Sequence, residues 1–274
     1  METLQTLLPP KPLAANVDID DPAEILQEQT KFHRSTMAGL IKNISRYLHH
    51  PTYIARGIAG FHHYDGSEVI TLPAPRLDVG SLCDALSLRR SVRQLSSTLT
   101  LQDLSTLLHY SFRVNHYVQS DVAPHLKLSL RPYPSPGGLY PTEFYLFIND
   151  VDDVTPCIAH YDAREHCLRR LSDQDGKAFS NVEIRSGNDG IHAPVICVMT
   201  SVPQRATAKY GPRGYRMALL EVGHASQNLC LVARGLGLGS LVYGAFYDDE
   251  LARLLQIDGV TETVVSVVLV GKEA

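Results

Sequence analysis

Residues 132–145 read Pro-Tyr-Pro-Ser-Pro-Gly-Gly-Leu-Tyr-Pro-Thr-Glu-Phe-Tyr, and an apolar run over 144–148 overlaps the end of this stretch. Proline fixes φ and lacks a backbone donor, whereas glycine permits positive φ, so the first part can be neither helix nor ladder strand. We therefore predict a rigid loop that opens onto a buried strand over 143–149. Such a loop can present main-chain amides and carbonyls to a flat ligand with a polar edge, although an ordinary surface turn has the same composition.

Residues 214–236 predict the longest helix of the chain. Between Tyr215 and Leu236, apolar residues recur at steps of three and four, and the flanks of this stripe are also apolar. A helix that is apolar most of the way round is buried, either in a core or at a subunit interface. Gly235 and Gly237 are expected to end it, because glycine is favoured just past a helix C-terminus.

The other patterns predict a mixed fold. Residues 21–24 and 100–103 have the form of helix starts, with a capping side chain and an acid in the first turn. Segment 113–131 has no clear pattern and is expected to be a loop. Because strands and helices do not follow a regular βαβ rhythm, the expected fold class is α+β. We expect further helices over 21–33, 35–48, 100–108 and 248–255. We expect further strands over 68–72, 157–161, 167–171, 194–200 and 263–270, and one that begins at residue 241.

The composition argues against a nucleic-acid partner and against a membrane-spanning segment. The 274 residues carry a formal net charge of −4 and no block of Lys or Arg, which argues against a nucleic-acid partner. The chain starts without a basic segment and apolar run, and its longest strongly apolar run, 264–270, is too short to cross a bilayer. We expect a cytoplasmic protein without membrane contact.

The cysteines and histidines do not predict a metal site. The five cysteines are odd in number and include no Cys-x-x-Cys pair, so neither a disulfide framework nor a zinc site is indicated. The histidine doublets at 49–50 and 62–63 are poor chelates, because neighbouring side chains point in different directions.

Three features occur together in an order that resembles the FMN-dependent nitroreductase superfamily. They are the Pro-Ser-x-Gly-Gly-Leu-Tyr-Pro-x-Glu loop, the pair Lys209-Tyr210, and the helix segment Tyr-Arg-x-x-x-x-Glu-x-Gly at 215–223. Within that superfamily they look like the SagB-type, McbC-like azoline oxidases of thiazole- and oxazole-modified peptide biosynthesis. The resemblance runs from about Leu88 to Gly271 and is weaker before residue 80. It implies a mainly antiparallel sheet flanked by helices, an FMN-binding domain over 81–274, and a helical extension over 1–80 that faces substrate or partner.

Residues 88–93 bring three arginines and a serine into one short segment. Arginine is a natural bidentate partner of a phosphate dianion, although a solvated basic turn has the same appearance. The resemblance assigns this segment to the FMN phosphate and ribityl chain and the proline-glycine loop to the isoalloxazine edge. The glycines at 235–239 are not a dinucleotide fingerprint, since they close a helix and open a strand. The residues expected to bind FMN are Arg89, Arg90, Ser91, Arg93, Pro134, Ser135, Gly137, Gly138, Leu139, Gln227, Asn228, Gly237, Gly239 and Lys272.

Lys209 and Tyr210 occupy the position of the pair to which the activity of azoline oxidases is attributed. Converting an azoline to an azole removes a hydride, which a flavin can accept, and a proton, which needs a base. A lysine made neutral by burial beside positive charge can accept a proton near pH 7, with Tyr210 orienting it or sharing the proton. An exposed lysine next to a packed tyrosine is the structural alternative.

The resemblance implies FMN-dependent oxidation of thiazolines or oxazolines in a ribosomally made peptide, with dioxygen reoxidising the flavin. The implied partners are the azoline-containing precursor peptide, a cyclodehydratase and a second copy of the chain in a homodimer. Three alternatives remain open. They are an NAD(P)H-dependent nitro- or flavin-reductase, an azoline oxidase for a non-ribosomal peptide, and a scaffolding subunit of a peptide-modifying synthetase.

Overall fold

A mainly antiparallel sheet lies between two layers of helices in this computed structural model, which describes residues 21–58, 61–96, 98–121, 123–174, 176–184 and 192–273. One buried apolar cluster fills each face of the sheet. This arrangement confirms the predicted α+β class with its mainly antiparallel sheet and flanking helices.

The main sheet of the described residues has eight strands in the order β1-β7-β6-β5-β8-β10-β2, and β9 also pairs with β10. Every strand pair in it is antiparallel. A separate hairpin joins β3 (His116–Gln119) to β4 (Lys127–Leu130). The strands of the main sheet are β1 (Val69–Thr71), β2 (Leu95–Ser96), β5 (Thr142–Ile148), β6 (Cys157–Asp162), β7 (Cys167–Ser172), β8 (Val195–Ser201), β9 (Gly239–Tyr243) and β10 (Thr263–Glu273).

The helices divide into two covering layers and an N-terminal group. Helices α5 and α8 contribute to the core on one face of the sheet, and α6 and α9 contribute to the core on the other. Their bounds are α1 (Pro22–Gln29), α2 (Met37–His49), α3 (Pro51–Ile58), α4 (Leu82–Leu88), α5 (Leu101–Phe112), α6 (Gly176–Val182), α7 (Gln204–Tyr210), α8 (Arg213–Gly235) and α9 (Asp248–Leu254).

Strand β5 fixes the place where the proline-glycine loop ends. Its side chains alternate between the two cores, with Phe144 and Leu146 on the α5 and α8 side and Tyr145 and Phe147 on the other. All seven of its residues are buried, and the last five, 144–148, read in sequence as one continuous apolar run. A strand held on both faces gives the preceding loop a rigid base.

Helix α8 is the predicted long helix, and the residue after Leu236, Gly237, has a φ of +77°. One face of α8 packs into the core through residues such as Ala218, Val222 and Leu229. Leu220 on the other face is 57% exposed in this single chain, so burial of that face at a subunit interface stays a prediction.

The prediction of a loop over 113–131 is wrong, because this segment contains the β3–β4 hairpin. All four residues of β3 are exposed, so the segment lacks the apolar alternation by which a half-buried strand is recognised. Helix α1 also ends earlier than expected, at Gln29 rather than near residue 33. The short helices α3, α4, α6 and α7 have no counterpart among the predicted elements.

The described part of the N-terminal segment is helical over α1 to α3 and packs on α7 and α8. Asn43 of α2 bonds to the end of α7, and Arg216 of α8 bonds to Gln27 of α1. Strand β1 lies before residue 80 but joins the main sheet beside β7. The boundary at residue 80 stays a prediction, and residues 1–20 lie outside the described residues.

No helix in the described ranges is both long and apolar enough to cross a membrane. Within the same ranges, no group of three or more His, Cys, Asp or Glu side chains is arranged to hold a metal ion. Four of the five cysteines are buried and Cys83 is exposed, and all are free thiols.

Candidate functional site

The proline-glycine loop turns through a short 3₁₀ segment, Pro136–Gly138. Gly137 and Gly138 have φ values of +63° and +67°, which glycine adopts without strain. Tyr140 also has a positive φ, of +44°, and its side chain is buried. The glycines are therefore needed for the shape of the loop, and they leave its main chain open at the surface.

Glu221 of α8 anchors the base of this loop. Its Oε1 accepts hydrogen bonds from the backbone N–H of Thr142 at 3.2 Å and from the Thr142 hydroxyl at 2.8 Å. The N–H of Tyr140 donates to Ser135 Oγ at 2.8 Å. Burial raises the pKa of Glu221, because these hydroxyl and amide partners do not fully replace the water that is lost. The sequence motif included Glu221, but this anchoring role was not predicted.

Glu143, the first acidic residue after the loop, is held by Arg205 and His160. Its Oε1 lies 2.6 Å from an Arg205 guanidinium nitrogen, and its Oε2 lies 3.0 Å from His160 Nε2. Burial favours the neutral acid, but Arg205 and then His160 outweigh it and hold the pKa of Glu143 well below its usual range. Arg205 also donates to the carbonyl of Tyr140 at 3.0 Å. Helix α7 is thereby tied to the loop through Arg205.

Lys209 and Tyr210 form the last turn of α7 and face the loop at Gly137. A Cβ built on Gly137 would lie 2.7 Å from Lys209 Nζ and 2.5 Å from Tyr210 Oη, so both polar atoms contact the same point of the loop. Lys209 is only 6% exposed, and its Nζ lies 5.5 Å from the ring centroid of Tyr47 and 5.2 Å from that of Tyr210. The exposed-lysine alternative therefore does not describe this residue.

Burial lowers the pKa of Lys209 and raises the pKa of the Tyr210 hydroxyl. Among the described residues, no carboxylate forms an ion pair with Lys209. No positively charged group in this part of the chain contributes to the lowering of the Lys209 pKa. The expected neighbouring positive charge is thus not found, and loss of water alone favours the neutral amine.

Two cavities flank this pair. One of about 340 Å³ opens beside Lys209, and a second of about 590 Å³ lies beside Tyr210 at the α7–α8 turn. Helix α2 lines both of them. The loop, α2, α3 and the β3–β4 hairpin line the first through Tyr47, Leu48, His49, Ile54, Val118, Gln119, Ser120, Asp121, Leu128, Gly137, Gly138, Leu139 and Lys209. We call this region the loop end.

A small cationic cavity of about 150 Å³ lies where α8 ends and β9 begins. Arg89, Arg90 and Arg234 line it together with Gly239, Ser240 and one carboxylate, Glu273. The segment after α4 is held there because the N–H of Val92 donates to the carbonyl of Ser240 at 3.0 Å. Three guanidinium groups around one cavity suit a phosphate dianion. We call this region the arginine end, and its Arg234 was not among the predicted residues.

The remaining residues that are predicted to bind FMN do not line the 340 Å³ cavity or the 150 Å³ cavity. Asn228 Nδ2 donates to the carbonyl of Pro132 at 3.2 Å, so Asn228 holds the loop against α8. Gln227 and Gly237 are exposed on or just after α8. Pro134, Ser135, Ser91, Arg93 and Lys272 line neither the 340 Å³ cavity nor the 150 Å³ cavity, although Ser91 and Lys272 adjoin residues that do.

Comparison with known proteins shows which family this chain resembles. The model of the Nitroreductase family matches residues 86–272. A Methanocaldococcus jannaschii protein named as a nitroreductase is 33% identical over 192 residues, 69% of this chain and 91% of that protein. The microcin B17-processing protein McbC of Escherichia coli is 29% identical over 136 residues, 47% of this chain and 49% of McbC. The chain therefore spans about half the length of this second relative.

Two solved structures share the fold. A nitroreductase from Anabaena variabilis superimposes with a TM-score of 0.67 at 24% identity, covering 90% of this chain and 45% of that one. A chain of the Escherichia coli microcin synthetase McbBCD complex, with truncated pro-MccB17 bound, gives a TM-score of 0.54 at 21% identity and covers 90% and 97%. These likenesses confirm the predicted nitroreductase-like fold.

Proposed function

Because this chain belongs to the nitroreductase family, we propose that it uses FMN to oxidise thiazolines or oxazolines in a ribosomally made peptide, with dioxygen as the final electron acceptor. The observation that carries the proposal is Lys209, a buried lysine whose amine meets the proline-glycine loop at Gly137. The similarity to McbC, a microcin B17-processing protein, supports a peptide substrate.

The residues at the two ends fit a flavin mononucleotide. Arg89, Arg90 and Arg234 would hold the phosphate, and the main chain around Gly137 and Gly138 would pair with the polar edge of the ring. Helix α8 connects the two ends, since Asn228 contacts the loop and Arg234 lines the arginine end. When bound, the flavin would accept the hydride.

Lys209 is the group that accepts the proton from the azoline ring in this proposal. Burial favours the neutral amine before reaction, as a base requires. After proton transfer, the ammonium faces the rings of Tyr47 and Tyr210, and a cation over an aromatic face gains about 0.5–2 kcal/mol. Tyr210, whose pKa is raised by burial, stays a neutral phenol that can donate a hydrogen bond beside the amine.

The proposed partners follow from the same relatives. The microcin synthetase complex contains a bound pro-peptide, and by analogy a cyclodehydratase would supply the azoline peptide to this chain. The outer face of α8, with Leu220 exposed, suits the proposed homodimer contact. A second candidate, an NAD(P)H-dependent nitro- or flavin-reductase, is favoured by the nitroreductase name of the archaeal relative.

Visible spectroscopy under anaerobic conditions separates the two candidates. The protein is loaded with FMN and mixed with a thiazoline-bearing peptide, with the same peptide carrying an uncyclised cysteine as control. We expect the thiazoline peptide alone to bleach the flavin band, and admission of air to restore it. Bleaching by NADPH but not by the thiazoline peptide would instead establish the reductase.

A further inference from the structure

Helix α2 crosses the end of α7 that carries the proposed base. Asn43 and Tyr47 stand four residues apart and therefore lie on the same face of α2. Asn43 Nδ2 donates to the carbonyls of Ala208 at 3.0 Å and Lys209 at 3.1 Å. The ring of Tyr47 lies over Lys209 Nζ, 5.5 Å from it. Both contacts converge on a single residue of α7.

Asn43 satisfies backbone groups that a helix end leaves without partners. The last carbonyls of an α-helix have no intrahelical donor, and α7 ends at Tyr210 before Gly211, whose φ is +60°. The amide of Asn43 supplies donors to two of these carbonyls, including that of Lys209 itself. The backbone of the proposed base is thereby fixed to α2.

Tyr47 covers the other end of the same residue. Within α2, whose residues are all described, Tyr47 is the one that is buried, at 8% exposed. The ring also stands in the wall of the 340 Å³ cavity. It covers the Nζ of Lys209 on the side of α2.

Few other titratable groups face this amine. Tyr47 and His49 come from α2, Asp121 comes from the connection between β3 and β4, and Tyr210 comes from α7. None of the carboxylates in the described chain forms an ion pair with Lys209. Cover by an aromatic ring is therefore the main influence that α2 exerts on the proton affinity of the amine.

We propose that α2 belongs to the active site, with Asn43 and Tyr47 as positioning residues that hold Lys209 at Gly137 and shield its amine from water. The proposal rests on the proposed function, because the state of this amine matters for catalysis only if Lys209 is the base. It gives the N-terminal extension a role at the chemical step in addition to any contact with substrate or partner.

Competitive labelling of the seven lysines tests this without flavin or substrate. A trace amount of acetic anhydride is reacted with the full chain at a series of pH values, and mass spectrometry gives the labelling midpoint of each lysine. Exposed Lys42 of α2 is the internal reference. We expect Tyr47→Ala to raise the Lys209 midpoint by roughly one pH unit, since the amine regains water. Tyr47→Phe should leave the midpoint unchanged, because the ring remains.

An unchanged or lowered Lys209 midpoint in Tyr47→Ala would overturn the shielding role. A fall would mean that the ring acts mainly by attracting the cation. If Tyr47→Ala does not fold, Tyr47→Leu provides a smaller cover that leaves part of the amine open, with the same expected direction. Ser45→Ala, an exposed change on the same helix, is the matched control and should change no midpoint.

Asn43→Leu tests the second contact, because it removes the amide donors and keeps a side chain of similar size. With FMN and a thiazoline peptide, we expect the bleaching rate to fall about tenfold while the FMN affinity stays the same. An unchanged rate would overturn the positioning role of Asn43. If Lys209→Met were fully active while Tyr47→Ala still shifted the Lys209 midpoint, the proposed function would fail and the shielding would stand.

Discussion

The loop end and the arginine end hold their basic side chains in opposite ways. At the loop end, Lys209 is buried, and the segments around it are tied by Glu221, Arg205 and Asn43. At the arginine end, Arg90 is exposed and bonds only to nearby carbonyls, those of Ser87 and Arg89, among the described residues. One region is assembled by the protein itself, and the other leaves its charge open to a ligand.

This difference predicts separate effects on rate and on affinity. A loop that is already ordered loses little entropy when a ligand binds, and it keeps reacting groups in place. Guanidinium groups around an open cavity gain charge-assisted hydrogen bonds only when an anion arrives. Substitutions at the loop end should therefore change the rate of oxidation, whereas those at the arginine end should change the affinity for FMN.

The largest effect is expected for Lys209→Met, which removes the amine and keeps the length of the side chain. Loss of a general base lowers rates by about 10²–10⁴-fold, so flavin bleaching by a thiazoline peptide should slow by that factor. Stopped-flow absorbance under anaerobic conditions measures it, and FMN affinity should not change. Lys42→Met is the matched exposed control. Wild-type bleaching in Lys209→Met would remove the chemical distinction between the two ends.

Glu143→Gln should cause the largest loss of stability at the loop end. It leaves the buried His160 and the half-buried Arg205 without their carboxylate, and breaking a buried ion pair costs about 3–5 kcal/mol. Urea unfolding of both proteins measures the difference, with exposed Glu165→Gln as a control expected to change the free energy of unfolding by less than about 0.5 kcal/mol. A loss as small as that of the control would show that α7 is not held to the loop through this carboxylate.

The same pair predicts a dependence on pH. The pKa of Glu143 in the folded protein lies well below its value in the unfolded chain, which is about 4.3. Its contribution to stability is fully present above the unfolded value and is lost as the pH falls through the folded one. The stability gap between wild type and Glu143→Gln should therefore be constant near neutral pH and shrink below about pH 4. A gap that widens in acid would contradict the assigned direction.

Arg89→Ala and Arg234→Ala should weaken FMN binding at the arginine end. A hydrogen bond to a charged group contributes about 1.5–3 kcal/mol, which corresponds to about ten- to a hundredfold in affinity. Fluorescence titration with FMN measures the change, and riboflavin, which lacks the phosphate, should bind both variants and wild type equally. Arg93→Ala is the comparison variant, since Arg93 is exposed and does not line the cavity. Equal losses for riboflavin and FMN would show that the phosphate is not bound there.

The parts of the fold that were predictable from sequence are those with a strong local pattern. The run over 144–148 predicts a buried strand because both of its faces are apolar, and α8 is predicted by its helical period. The β3–β4 hairpin has no such pattern, since β3 buries no side chain. Helix α7 is seven residues long, so its period is too brief to recognise.

The site was only partly predictable from sequence, because some of its contacts join residues that are far apart in the chain. Residue types alone leave the arginine segment and the loop open to an ordinary turn, and the family resemblance assigns both of them, like Lys209, to the site. The contribution of Arg234 depends on α8 returning past the segment after α4, and the cover by Tyr47 depends on α2 crossing α7. Both are contacts between residues far apart in sequence, and no local pattern encodes them.

The smallest expected effect gives the sharpest test of contact between the loop and the lysine-tyrosine pair. Gly137 and Gly138 both have positive φ, so an alanine at either position brings a similar backbone strain of about 1–2 kcal/mol. Only at Gly137 would the new Cβ meet Lys209 Nζ and Tyr210 Oη, since the nearest atom at Gly138 is Leu130 Cδ2 at 4.0 Å. We expect similar thermal stabilities for the two variants, but about tenfold slower bleaching for Gly137→Ala alone. Equal rates would mean that the amine acts without touching the loop.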